Sequence, residues 1–414
     1  MRIAFVVGIL LVCPAALSAG SASAEPLSFD AALRRAATEA PSLKAREADI
    51  AAGRFEAVAA DRLPDPTLEI GLRDFPVTGP DAGRFNRDDF TMTVVGVRQD
   101  FVNPVTRRAR AGRAQSDIAM AEAALTVEAQ RVRTETAMAW IDLHYARRRL
   151  AQLDLLDTSL NDLQATVTAR LASGTARPSQ ALEPEQLRAA IADRRSELAA
   201  EVARARALLV RYTGDADAEI SGEPPEFAID RDALLAKLTG LPRLRLADTQ
   251  VDAADADVRL ARAALHPDWS VSASYGRREP AFGDLVSIGV SIDLPLFSGR
   301  RQEPRIAARS SEASRVRHDR LALERELRAA LEAELADHAM HHQRLENARA
   351  TLVPLARRRA ELDLASFGAG ALNLGDALLS SLALAEAEVD ALAREAAVAR
   401  DAVRILFTYG EPQS

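Results

Sequence analysis

Metal-ligating side chains gather at one place in the sequence, Asp337-His338-Ala339-Met340-His341-His342. On a helix, His338 shares a face with His341 and His342, three and four positions further on. Imidazoles at this spacing can hold zinc or copper, and Met340 would suit a softer ion. Yet the single cysteine, Cys13, is remote, and no third fixed ligand accompanies the histidines. A solvated or interhelical face is the better account of the cluster, with metal binding by His338, His341 and His342 the alternative. Other chemistries lack their residues altogether. The sequence has no G-x-S-x-G elbow, no phosphate loop and no H-E-x-x-H pair. Two arginine runs, Arg147-Arg148-Arg149 and Arg357-Arg358-Arg359, fit solvated faces or interhelical ion pairs. No catalytic residue and no cofactor follow from these patterns, and an enzyme is not expected.

The elements that carry these residues are unusual. Of 414 residues, 48% are hydrophobic but only 4% aromatic. Ala alone supplies roughly a fifth, the composition of long helices and coiled coils rather than of a globular core. The net charge of −7 is mildly acidic, which argues against a nucleic-acid partner, since that would call for a basic face.

Residues 1–24 read as a secretory signal. Arg2 is the n-region, Ile3 to Leu17 the apolar stretch, and Ala22-Ser23-Ala24 the small-x-small cleavage pattern. Cys13 falls inside this segment, preceded by Val12 where a lipidated cysteine expects a small residue. No later apolar run approaches the ~20 residues of a membrane-spanning helix. If the exported chain touches a membrane, it does so with β-strands.

The sequence also repeats itself. Pro41-Ser42-Leu43-Lys44 recurs as Pro242-Arg243-Leu244-Arg245, and Pro66 recurs as Pro267 at the same offset. Gly96, Asp100, Arg107 and Arg108 recur as Gly289, Asp293, Arg300 and Arg301; Gly174 recurs as Gly370 and Gly214 as Gly410. The ordered set predicts two structural repeats, residues 25–220 and 242–414, joined by a linker over 221–241. Each should run helix, two strands, long helix, turn and return helix. The first helix is expected over Phe29 to Arg62, with Ser28 or Asp30 as its N-cap. From Arg113 to Ser173 there is neither Gly nor Pro, enough for a helix of about 90 Å. The stretch from Arg305 to Val353 is equally uninterrupted, and Pro354 predicts a bend. Return helices are expected from Ser179 to Tyr212 and from Leu374 to Tyr409, with hairpin tips near 174 and 370.

Strands are expected over 67–76, 90–101, 268–277 and 285–294. Val286, Ile288, Val290, Ile292 and Leu294 alternate with Ser287, Gly289, Ser291 and Asp293. Apolar on one face and small-polar on the other is the pattern of transmembrane barrel strands with a wet lumen. In the first repeat, consecutive Val94 and Val95 blur the register. Two soluble hairpins on a helix layer would be the plainer reading of each pair alone. Four strands cannot close a membrane barrel, which needs about eight, and an open edge is not tolerated in lipid. The strands must therefore be pooled between subunits, and only a trimer's twelve leave room for a conduit.

Architecture and strand exits together resemble the TolC-like outer membrane factors over essentially the whole exported chain. Met92-Thr93-Val94-Val95-Gly96-Val97-Arg98-Gln99-Asp100-Phe101, with Arg107-Arg108-Ala109-Arg110, is similar to the heavy-metal efflux branch typified by CzcC; Leu294-Pro295-Leu296-Phe297-Ser298-Gly299-Arg300-Arg301 resembles the matching exit of the second repeat. The resemblance implies a mainly helical fold whose four strands per chain contribute to a trimeric 12-stranded outer-membrane barrel above a periplasmic coiled-coil tunnel. It implies a passive exit duct of a tripartite pump, with a periplasmic adaptor docking at the tips Gly174 and Gly370 and a proton-driven inner-membrane transporter of the RND type. In the family an aspartate commonly follows the tip glycine by six residues. Here Asp376 keeps it after Gly370, whereas Gln180 follows Gly174 and Leu379 stands at the second acidic position. Asp376 is thus a candidate for the periplasmic gate, with helix capping as its alternative role. Divalent metal cations are the expected cargo, organic compounds the rival one, and a pore-free periplasmic scaffold the rival from another class.

Overall fold

The computed structural model describes residues 26–85, 87–172, 177, 182–216 and 219–410, with the backbone alone for 155–172. The expected signal segment with Cys13, the first tip at Gly174, and Gln180 lie outside the described residues.

The first repeat runs α1 (Phe29–Glu39), α2 (Pro41–Ala60), β1 (Thr67–Arg73), β2 (Met92–Phe101), α3 (Pro104–Ala172) and α4 (Glu183–Thr213). The second runs α5 (Arg231–Lys237), α6 (Pro242–Ala263), β3 (Asp268–Arg277), β4 (Leu285–Asp293), α7 (Ser298–Asn347), α8 (Val353–Gly368) and α9 (Leu374–Tyr409). A 69-residue α3 extends about 100 Å at the usual rise.

Three expectations are corrected. The first helix is two helices, because Pro41 holds Ala40 in an extended conformation (ψ 118°), and Ser28 caps α1 by accepting from the Ala31 amide. Strand β1 stops at Arg73, since Asp74 turns the chain with φ 57°. The bend before Pro354 is a π turn over Ala348–Leu352. Its wider hydrogen bonding, with the Val353 amide reaching the Ala348 carbonyl, takes up the register that the missing proline N–H disturbs. Residues 221–241, the expected linker, contain α5, capped by the Asp230 carboxylate.

All four strands form one antiparallel sheet in the order β1-β2-β3-β4. The pairing of β2 with β3 joins the hairpins of the two halves and excludes two separate soluble hairpins. Register settles what the doubled valine left open. Ile70, Val95, Tyr275 and Val286 stand in one row across the sheet, and Leu68, Val97, Ala273 and Ile288 in the next. Val94 belongs to the opposite face, set between Gly71 and Gly276, and only there can it be buried.

Below the sheet, Pro41 and Pro242 acquire a structural meaning. Each opens a helix that abuts the end of a return helix. Tyr212 of α4 packs with Ala40 and Leu43 at the start of α2, and Tyr409 of α9 packs with Leu241 and Leu244 at the start of α6. At this midlevel the largest core gathers Phe29, Trp140, Leu209 and Phe407. Trp140 is fully buried, and its indole N–H donates to the Leu27 carbonyl at 3.0 Å. Leu27 in turn bridges to Ile220, so one tryptophan pins both ends of the first repeat. Among the described residues no helix is long and apolar enough to cross a membrane.

Candidate functional site: the sheet and the helical tips

The sheet's two faces differ in kind. On one lie Leu68, Ile70, Val95, Val97, Val286, Ile288, Val290 and Ile292, all exposed, with Ile288 at 77%. A soluble sheet would cover such a surface. At its helix end, Phe101 stacks on Trp269 at 4.2 Å, an aromatic pair where an outer-membrane strand meets the interface. The other face carries Gly96, Ser270, Ser272, Ser274, Ser287, Gly289 and Ser291 beside Arg98 and Asp100, which are paired at 2.9 Å. This face is crowded. A Cβ on Gly96 would come within 2.9 Å of the Ser274 Cβ, so that position has room only for glycine.

The columns are held by charge as well as by alanine. Arg149 pairs with Glu201 at 2.6 Å, Arg357 with Glu388 at 2.8 Å and Arg349 with Glu395 at 2.6 Å; Arg400 pairs with Asp142. The arginine runs thus serve in part as interhelical ion pairs, as their spacing suggests.

At the second tip, α8 ends with Gly370 at φ 76°, the left-handed conformation that glycine adopts without strain. The Ala371 amide closes the turn on the Ser366 carbonyl. The residue that caps α9 is Asn373, whose side chain accepts from the Asp376 amide at 2.9 Å. Asp376 is therefore not the cap. It occupies the third helical position, accepts from Asn373 Nδ2 at 2.6 Å and is exposed. Asn373-x-x-Asp376 is a variant of the capping box, a signal present in the sequence but overlooked in favour of Asp376 alone. Behind it, Leu187 and Ile191 of α4 pack on Phe367, Leu374 and Leu378, locking the second hairpin to the first repeat.

The histidines lie elsewhere, along the α7–α9 seam. His341 Nδ1 is 2.6 Å from the buried Asp401 carboxylate. His338 and His342 have ring centroids 6.4 Å apart, and burial lowers the His338 pKa. Burial also raises the carboxyl of nearby Glu334. Among the described residues no three His, Cys, Asp or Glu side chains are arranged to hold a metal ion. His341 thus makes an interhelical contact.

Gly370→Leu is expected to strain the tip, because a branched side chain is disfavoured at positive φ. Assembly should proceed, whereas cross-linking to a periplasmic adaptor and pump-dependent resistance should be lost. Normal cross-linking and resistance would show that this turn is not a docking tip.

A four-stranded antiparallel sheet set on columns of paired long helices is the TolC-like architecture of outer membrane channels. Residues 237–411 match the outer membrane efflux protein family. The second repeat thus carries a match to that family, and the superpositions that follow give the chain the fold of outer membrane channels. No curated protein matches the sequence. The structure superimposes on the CmeC outer membrane channel of Campylobacter jejuni with TM-score 0.76 at 12% identity, covering 92% of this chain and 85% of that one. A membrane protein from Pseudomonas aeruginosa gives TM-score 0.75 at 18% identity, with 92% and 90% covered. CusC, a protein described as forming a transmembrane channel, gives 0.71 at 14% identity, with 94% and 93% covered.

Proposed function

We propose that the chain is the outer-membrane exit duct of a tripartite efflux pump and works as a homotrimer exported by its N-terminal signal. The observation that carries this is the sheet itself, apolar on one face, small and polar on the other, with β1 and β4 as its two outer strands. Pairing β4 of one protomer with β1 of the next removes every edge, as lipid requires. The partners would be a periplasmic adaptor at the tips Gly174 and Gly370 and a proton-driven RND-type transporter in the inner membrane. For cargo we favour divalent heavy-metal cations. Support comes from the likeness of residues 92–101, 107–110 and 294–301 to the metal-export branch, and from the exposed carboxylate of Asp376. Restoring the chain to a strain that lacks it, with its own pump, should raise resistance to cobalt, zinc or cadmium. Restored resistance to organic compounds alone would favour the rival cargo.

The same carboxylate yields a sharper expectation. Three Asp376 carboxylates around one axis would attract cations. Because Asn373 is the cap, Asp376→Asn removes charge while leaving α9 folded, at a cost of a few tenths of a kcal/mol. Cation selectivity and block by multivalent cations should fall in single-channel recordings. Identical block in wild type and variant would remove Asp376 from the gate.

A further inference from the structure

Where α9 abuts α6, the chain leaves a cavity of about 520 Å³, within the usual range for small-molecule sites. Three elements build its cationic wall: Arg133 from α3, Lys237 at the end of α5, and Arg245 in the first turns of α6. Phe407 and Pro242 supply an apolar floor, and Gln130 closes one side by donating to the Phe407 and Thr408 carbonyls at 2.9 and 2.8 Å.

The charge pattern here departs from that of the surroundings. Arg131, two residues from Arg133, pairs with Glu128 at 2.7 Å, and Arg243, two residues from Arg245, lies 3.7 Å from Glu326. The Arg131 hydrogen bonds hold the Glu128 carboxyl down to about 2. Among the described residues neither Arg133 nor Arg245 forms an ion pair with a carboxylate. Arg133 instead lies 5.7 Å from the centre of the Phe407 ring. No side chain caps the N-terminus of α6, and its first turn holds no acidic residue, so the helix dipole adds to the positive field. The matching junction in the first repeat, where α4 abuts α2, has Glu128 beside Ser42 and Arg131. The two repeats share a plan here, and among the described residues Glu128 stands at the first junction, whereas no carboxylate pairs with Arg133 or Arg245 at the second.

We propose that this junction is a binding site for a small organic anion, an oxyanion head on an apolar body. The head lies between Arg133 and Arg245, whose planar forks suit carboxylate or phosphate oxygens, and the body rests on Phe407 and Pro242. The site lies at the middle of the helical columns, independent of the sheet and the tips, so it stands whether or not the proposed cargo is correct.

The test uses the purified full chain in detergent with phenyl phosphate as the probe, titrated by calorimetry at low salt. Saturable binding is expected, weakened by added salt as exposed charges are screened. Arg133→Gln and Arg245→Gln should each weaken it at least about tenfold, the scale of one lost charge-assisted contact. Arg359→Gln, on α8 and paired with Asp363 within its own helix, should leave it unchanged. Helicity and oligomeric state confirm that each variant is folded. Absence of saturable binding would overturn the proposal, as would equal binding of benzyl alcohol, which lacks the anionic head. Binding that appears only in a chain ending at Gly410 would also overturn it, since residues 411–414 would then be the occupant.

Discussion

Ile288→Arg is expected to cost about 2–4 kcal/mol near the bilayer midplane and to leave most of the chain unassembled in the outer membrane. The reason is positional. Ile288 is 77% exposed and sits in the row of Leu68, Val97 and Ala273, where a guanidinium would meet hydrocarbon. One residue earlier, Ser287 pairs with Ser274 on the small-polar face. Ser287→Arg should therefore assemble far better, its side chain directed to water. Heat-modifiable trimer in isolated outer membranes is the measurement, and equal loss in both variants would reject this orientation of the sheet.

Trp140→Ala carries the second large effect, about 3–5 kcal/mol, the scale of deleting a fully buried tryptophan. Its ring meets Phe29 edge-on at 5.5 Å and stacks on His144 at 5.3 Å. The substitution would open a cavity between α1 and α3 and remove the indole donor from the Leu27 carbonyl. Trp140→Phe separates the two contributions: it keeps most of the volume and loses only the hydrogen bond, for about 0.5–1.5 kcal/mol. Thermal unfolding of the detergent-solubilised protein ranks the variants. Hydrogen exchange should also show residues 27–39 losing protection first in the alanine variant. Unchanged protection of α1 would show that Trp140 does not hold the midlevel together.

The membrane sheet was legible because its signal is local. Alternation in β4 depends only on neighbours in sequence, and β4 keeps its expected start and falls one residue short of its expected end. In β2 the same rule gave an ambiguous answer, since Val94 and Val95 are both apolar and only the cross-strand register, Val94 opposite Gly71 and Gly276, assigns each to its face. The pairing of Val94 with Gly276 joins residues far apart in the chain, and no short window of sequence contains it. Pro41 was visible but its effect was underestimated, because a continuous helix also fits the apolar pattern on either side. The midlevel core was not legible at all. Leu27, Trp140 and Phe407 are brought together by the end-to-end stacking of return helices on upper helices, which periodicity does not encode. At the histidine seam the i, i+3 and i+4 spacing on one helix face was legible, whereas the partner of His341, Asp401 on the facing helix, was not.

Planar-bilayer recording of the purified, folded oligomer tests the central claim most directly. A duct built from pooled four-stranded sheets should insert and give discrete, steady conductance steps with a preference for cations. A folded oligomer that retains its β-structure and yet gives no conductance under any applied voltage would contradict it, and would leave a periplasmic coiled-coil scaffold in its place.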